Sequence, residues 1–307
     1  MARGGVGTYR VLIHWAQSQH SSSGPYDWES ADQEIRNAAA NGIQPLVVFY
    51  GSARFVSRNP RRPPLDSNDE RRGWKRFVRA AVQRYGPEGA FWEANPEVAY
   101  KPVRVWQAWS EQNADHFWRS GPSPKRYAKL VRLTDTAVED VDPEAEVVLG
   151  GMFGNPTGSR SLKMKVFLRK LYRAGFVRER FDGVALHPYG RSIGKVMRQI
   201  KAARAIMNRN GDGAKGIWVT EIGWATDGPR GWDLVTSRRG QARKLTKVFQ
   251  RLIGARGRYG LRGVIWFSWR DFRDKECRWC GKSGLFSRSG KPKPAWFQFT
   301  RFTGGLP

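Results

Sequence analysis

Short apolar runs alternate with longer amphipathic segments from one end of this chain to the other, and that alternation leaves few folds open. The apolar runs lie at 9–14, 44–50, 103–109, 146–150, 181–186, 216–220 and 262–268, and each is short enough for a strand buried on both faces. The segments between them have helical spacing. In 68–85 the large apolar residues Trp74, Phe77, Val78, Ala81, Val82 and Tyr85 fall on one face, after a Ser67/Glu70 capping-box signature. A second helix is expected over 124–141, with Pro124 in its first turn after Ser123. Others are expected over 30–41, 162–174, 193–208, 236–253 and 295–302, with Gly42 and Gly175 placed to stop the first two of these.

A strand–helix alternation of this kind predicts a parallel sheet with crossover helices. The 307 residues carry no Pro/Gly/Ser-rich divider and no internal repeat, and 40% are hydrophobic, enough for one large core. The fold class is therefore α/β, a (β/α)8 barrel of the TIM type, with residues 1–307 as a single domain. The count of strands is seven, one short of closure. Residues before Thr8 read as the tail of a helix ended by Gly4, Gly5 and Gly7. The expectation is an incomplete barrel: either a first strand and helix belong upstream of Met1, the amino end being truncated, or the barrel is open on one side and exposes strand edges.

In such a barrel chemistry sits at the carboxyl ends of the strands. There the sequence places Ser110, Glu111, Gln112 and Asn113 after the third run, His187, Pro188 and Tyr189 after the fifth, and Glu221 with Trp224 after the sixth. The first run carries Arg10 and ends at His14, and the last carries Trp266 and Trp269. Two carboxylates on strands three apart in an eight-strand ring face each other across the mouth. That pair is what glycoside hydrolysis requires, one group to protonate the leaving oxygen and one to act as base or nucleophile. Glu111 would need burial or a neighbouring carboxylate to hold its proton, and Arg10 is placed to keep Glu221 ionised. Either glutamate alone reads equally as a salt-bridge partner in so Arg-rich a chain; the pair at two strand ends is what favours catalysis.

The motifs around these residues carry a resemblance. The segment 105–113, Val-Trp-Gln-Ala-Trp-Ser-Glu-Gln-Asn, resembles the Trp-x-x-Trp-Asn-Glu-Pro-Asn motif of clan A glycoside hydrolases. Segment 218–224, Trp-Val-Thr-Glu-Ile-Gly-Trp, is similar to their nucleophile strand, and 182–189, Asp-Gly-Val-Ala-Leu-His-Pro-Tyr, to their sixth strand. Tyr26-Asp-Trp28 and Phe49-Tyr-Gly51 resemble cellulase-like and xylosidase-like members. The resemblance covers strands two to eight of the family barrel. It implies a retaining hydrolase of poly- or oligosaccharides, with Glu111 as acid/base and Glu221 as nucleophile. It also implies that His187 and Tyr189 hold the site, that Arg10 is the second-strand arginine, and that Trp266 is the platform under the sugar, with Trp224 as a rim aromatic. The family's asparagine before the acid/base is Ser110 here, a shorter side chain for the same sugar hydroxyl. A catalytically impaired glycan-binding relative is the alternative that this departure raises.

Charge and cysteines bound the partners. Lys and Arg number 54 against 27 acids, a net charge of +27, which permits an anionic glycan. The cations punctuate amphipathic helices, as a solvated Arg-rich surface would. With no helix-turn-helix, zinc-finger or aromatic RNA-binding signature, nucleic acid is not expected as a partner. No run of apolar residues is long enough to span a membrane and no signal peptide opens the chain. Cys277 and Cys280 are too few for a zinc site; a small loop disulfide is expected, hence an oxidising compartment and an extracellular or cell-surface location. No cofactor and no metal are expected, and the protein is expected to act as a monomer on a carbohydrate.

Overall fold

The computed structural model describes residues 1–306 apart from 176, 230, 275 and 278. Seven strands, β1 (Thr8–His14), β2 (Gln44–Tyr50), β3 (Val105–Ser110), β4 (Glu146–Phe153), β5 (Gly183–His187), β6 (Gly216–Ile222) and β7 (Leu261–Trp266), form one sheet in chain order. Every pairing is parallel. Around the sheet lie α1 (Trp15–Ser18), α2 (Glu29–Ala40), α3 (Asn68–Tyr85), α4 (Ala90–Glu93), α5 (Pro124–Glu139), α6 (Met164–Tyr172), α7 (Ile193–Arg209), α8 (Arg238–Gly254), α9 (Arg256–Tyr259) and α10 (Pro294–Thr303). The architecture is a curled, incomplete (β/α) barrel. Strands β1 and β7 approach each other but are not hydrogen-bonded, so the ring has two edges.

Burial follows from that gap. The interior strand β5 is buried at every position, and β2 at all but Gln44. The edge strands are not: Leu12 of β1 is 41% exposed, and Val264 and Ile265 of β7 are half-buried. Bonds outside the sheet tie the ring across the gap where strand pairing does not. At the base, Thr303 Oγ1 donates to the carbonyl of Gly4 at 2.5 Å and the Leu306 amide donates to Arg3, so the amino-terminal turn is pinned to α10. Residues 2–5 form that single turn, with Gly5 at φ 67°, where a Cβ would strike the Thr303 carbonyl at 2.6 Å.

The helices start where serine can cap them. Ser67, Ser123, Ser192 and Ser237 each accept a backbone amide in the first turn of α3, α5, α7 and α8. At α3 the capping box reaches one residue further than its pattern, since the Glu70 carboxylate accepts from the Asp66 amide at 2.7 Å. The core beneath is aromatic: Phe49 of β2 stacks on Trp106 of β3 at 5.2 Å, and Trp74 of α3 bonds Thr134 of α5 at 3.0 Å. Trp15, Trp109 and Trp118 are fully buried in it. Cys277 and Cys280 are joined as the expected disulfide, in the long loop between β7 and α10.

Candidate active site

At the carboxyl end of β3 the chain bends away from extended geometry. Trp109 and Glu111 both hold left-handed backbone, φ 70° and 49°, where a side chain is strained. The bend turns Glu111 inward at 7% exposure. The tie that holds it comes from β5: His187 Nδ1 lies 2.7 Å from Glu111 Oε1, and its Nε2 lies 3.1 Å from Thr220 Oγ1 on β6. One residue beyond Thr220, Glu221 accepts from Arg10 of β1 at 2.5 Å and from the Tyr189 hydroxyl at 2.9 Å. Arg10 also donates to Ser110 Oγ at 2.9 Å. One side-chain oxygen of Glu111, one of Glu221 and a His187 nitrogen all lie within 4.8 Å of one another. The structure thus brings Arg10, Ser110, Glu111, His187, Tyr189 and Glu221 into a single cluster.

Space for this cluster is made by glycine. Strand β4 carries Gly150 and Gly151 at a register shift against β5. A Cβ on Gly151 would lie 2.1 Å from His187 Nε2, and one on Gly150 2.2 Å from Gln112 Oε1. Gly151→Ala is therefore expected to fold but to push the imidazole off Glu111. A displacement of about 1 Å at such a group costs roughly 100-fold in rate. Steady-state kinetics beside a circular dichroism spectrum checks this, and a wild-type kcat/KM would count against it.

The two carboxyls are driven apart electrostatically. Burial pushes Glu111 above the usual glutamate range, and contact with His187 only partly offsets it. Burial would raise Glu221 too, but the electrostatic effect of His187 and Arg10, with the hydrogen bonds from Tyr189 and Arg10, outweighs it and holds that carboxyl below the usual range. Neighbouring glutamates of opposite tendency are suited to one proton donor and one anion. Glu111, His187 and Glu221 converge closely enough to ligate a cation, but Arg10 already supplies a positive charge against Glu221. The sulfurs of the second converging group, Asp274 with Cys277 and Cys280, are bonded to each other and offer no thiolate.

Two expected contacts do not arrive. Trp224 is fully buried; its indole donates to the Gly190 carbonyl at 2.9 Å and packs under the Lys244 ammonium, so it supports the loop carrying Tyr189 instead of forming a rim. Trp266 is 7% exposed and faces the helical layer, its ring 6.4 Å from Phe249 of α8. Side chains alternate across a strand, so with Trp266 outward the next residue points inward. Phe267 does so, reaching 6.5 Å from the Tyr189 ring. With Phe153, stacked on Tyr189 at 5.4 Å, and Trp279, edge-on at 5.0 Å, it forms an aromatic wall that the sequence reading missed.

Trp279 reaches the site from the disulfide loop, and that loop is strapped across the mouth. Glu276 accepts from Arg61 of the β2–α3 loop at 2.5 Å and lies 3.1 Å from His116 Nε2 of the β3–α5 loop. His116 thus serves an ion pair at the rim.

No family model matches the chain, and no curated protein is similar to it in sequence. Solved structures are similar in fold. A family 39 glycoside hydrolase from the gut symbiont Bacteroides cellulosilyticus WH2 has a TM-score of 0.72 at 20% identity, covering 98% of this chain and 59% of that one. A glucosidase from Croceicoccus marinus has a TM-score of 0.72 at 14% identity, covering 99% and 62%. A monomeric beta-xylosidase from Caulobacter crescentus CB15 has a TM-score of 0.69 at 18% identity, covering 97% and 62%. The chain spans about six-tenths of the length of these solved proteins. At such identities the likeness is one of fold alone: the chain has a (β/α) barrel similar to those of these solved proteins.

Proposed function

We propose that this protein is a retaining glycoside hydrolase, with Glu221 as nucleophile and Glu111 as acid/base. The observation that carries this reading is the convergence of the two carboxyls, with oxygens within 4.8 Å, in surroundings that raise the pKa of Glu111 and lower that of Glu221. Carboxyl groups about 5–5.5 Å apart leave no room for a water between nucleophile and sugar, which is the retaining arrangement. In this reading Glu221 attacks the anomeric carbon while Glu111 gives its proton to the leaving oxygen. Water then attacks the anomeric carbon of the glycosyl-enzyme, giving one of its protons to Glu111 as the bond to Glu221 breaks. Arg10 and Tyr189 hold Glu221 aimed and anionic. His187 fixes Glu111, and the Ser110 hydroxyl, oriented by Arg10, faces the 2-hydroxyl directly or through water.

The same reading has the protein act as a monomer on a poly- or oligosaccharide outside the cell, where the Cys277–Cys280 disulfide persists. The test is a panel of aryl glycosides and polysaccharides, followed by proton NMR of the first-formed product on whichever one turns over. Retention of anomeric configuration is expected; inversion would remove the covalent mechanism, and inactivity across the panel would remove the enzymatic reading.

A further inference from the structure

The excess positive charge is unevenly distributed over the barrel. On the α2–α5 side, many cations have acidic partners: Arg62 pairs with Glu70 at 2.7 Å, Arg84 with Asp32 at 2.5 Å, and Arg72 and Arg79 with Asp69 and Asp140. The neighbouring helices α6, α7, α8 and α9 contain Lys and Arg but not a single Asp or Glu. Among the described residues, the one cation of these four helices with an acidic partner is Lys195, 3.2 Å from Asp233. Arg239, Arg243, Lys247 and Arg251 stand at four-residue intervals along α8, all exposed, a stripe of about 18 Å at helical rise. Lys195, Arg198 and Lys201 expose a second row on α7. Between the two helices runs a groove of about 310 Å³ lined by Ile193, Gly194, Met197, Lys247, Gln250 and Arg251.

This arrangement is locally unfavourable. Like charges four apart on a helix repel, and Arg238 with Arg239 puts cations in the first turn of α8, where the helix dipole disfavours them. Local rules broken without a compensating contact mark a site of use. We propose that the α6–α9 face holds an acidic polysaccharide, a chain bearing carboxylates, and leads it to the mouth. This rests on the glycosidase reading and supplies its substrate class.

Four observations favour a glycan over other polyanions. The face begins at the site: Ser192, which caps α7, follows Arg191 in the loop that carries Tyr189, and the Lys244 ammonium of α8 donates to the Arg191 carbonyl. At the same rim Trp232, beside the Asp233 that binds Lys195, is 46% exposed and presents a flat ring for a pyranose to stack on. A lipid surface would need apolar side chains to insert, and on these four helices the large exposed one is Ile253. Packed barrel helices also offer no protruding element to enter a nucleic-acid groove.

The test is binding of fluorescent polygalacturonate to three full-length proteins: wild type, Glu221→Ala, and the quadruple variant Arg239→Gln/Arg243→Gln/Lys247→Gln/Arg251→Gln. Wild type and Glu221→Ala are expected to bind equally, and to weaken at least tenfold between about 50 and 200 mM salt. The quadruple variant, with exposed good helix formers at all four sites, is expected to bind at least tenfold more weakly at low salt. Fully methyl-esterified polygalacturonate, the same backbone without charge, is expected to bind wild type equally weakly, which checks the charge requirement independently of any variant. Equal binding by wild type and the quadruple variant would overturn the proposal. So would tighter binding to duplex DNA or to phosphatidylglycerol vesicles than to polygalacturonate. Because the readout is binding, loss of turnover in Glu221→Ala with binding intact separates this proposal from the catalytic one.

Discussion

Glu221→Ala is expected to lower kcat/KM on the best glycoside found by on the order of 10⁴-fold or more, with the fold intact. The carboxylate is held from both sides, by the Arg10 guanidinium at 2.5 Å and the Tyr189 hydroxyl at 2.9 Å, so neither oxygen is free to turn away. No neighbour can take its place. Glu111, the other carboxyl of the cluster, is bound to His187 at 2.7 Å and is, in the proposed mechanism, the proton donor to the leaving group. The truncation also leaves a small cavity beside two donors, which suits a small anion. Azide is therefore expected to restore part of the rate with an activated aryl glycoside, and to give a glycosyl azide of the configuration opposite to that of normal hydrolysis. Wild-type rates in the variant, or azide rescue with retained configuration, would place the nucleophile elsewhere.

The cluster itself was legible in the sequence because strand ends are. A buried parallel strand is a short apolar run, and in a barrel the polar residue that terminates it must face the mouth. Glu111, His187 and Glu221 were found on that ground and meet in space. The elements themselves were legible to within a few residues. Strand β2 and helix α3 fall where the pattern puts them, at 44–50 and 68–85. Strand β4 runs three residues past its expected end at 150, to Phe153, because Gly150 and Gly151 look like a stop when they are a bulge that admits His187.

What the sequence concealed lies one residue or one loop away from the motifs. Trp266 sits in the strand that the resemblance points to, but orientation depends on where the strand stops alternating, and it is Phe267 that faces Tyr189. Trp224 looked like a rim residue because it follows Glu221 so closely; the chain leaves β6 at Ile222, which drives the indole under the Tyr189 loop. The Arg61–Glu276–His116 strap joins residues more than a hundred positions apart, on loops without periodicity, so no local signal could show it. The charge asymmetry between the two sides of the barrel was present in the sequence, but it becomes visible only once α6, α7, α8 and α9 are known to be neighbours.

Glu111→Gln separates the proton donor from the rest of the site by leaving group. The neutral amide keeps the shape but has no proton to give. On a natural glycan or alkyl glycoside, whose departing oxygen needs that proton, a loss of ~10³-fold is expected. A dinitrophenyl glycoside leaves unaided, so its first step should hardly change. Its second step loses the base that activates water, so the glycosyl-enzyme accumulates and KM falls together with kcat. The pH profile gives the sign. The proposed mechanism requires Glu221 ionised, and its carboxyl is held low by His187 and Arg10 against the effect of burial, so the rate is expected to rise with pH through a pKa below the ordinary glutamate value. The proposed mechanism also requires Glu111 protonated, and burial raises its pKa, so the rate is expected to fall with pH through a value above the ordinary one. The wild-type kcat/KM profile is thus a bell spanning the ordinary glutamate range, and Glu111→Gln should lose its alkaline limb while keeping the acid one. An alkaline limb that survives the substitution would belong to another group, and Glu111 would then be a structural partner of His187, not the acid.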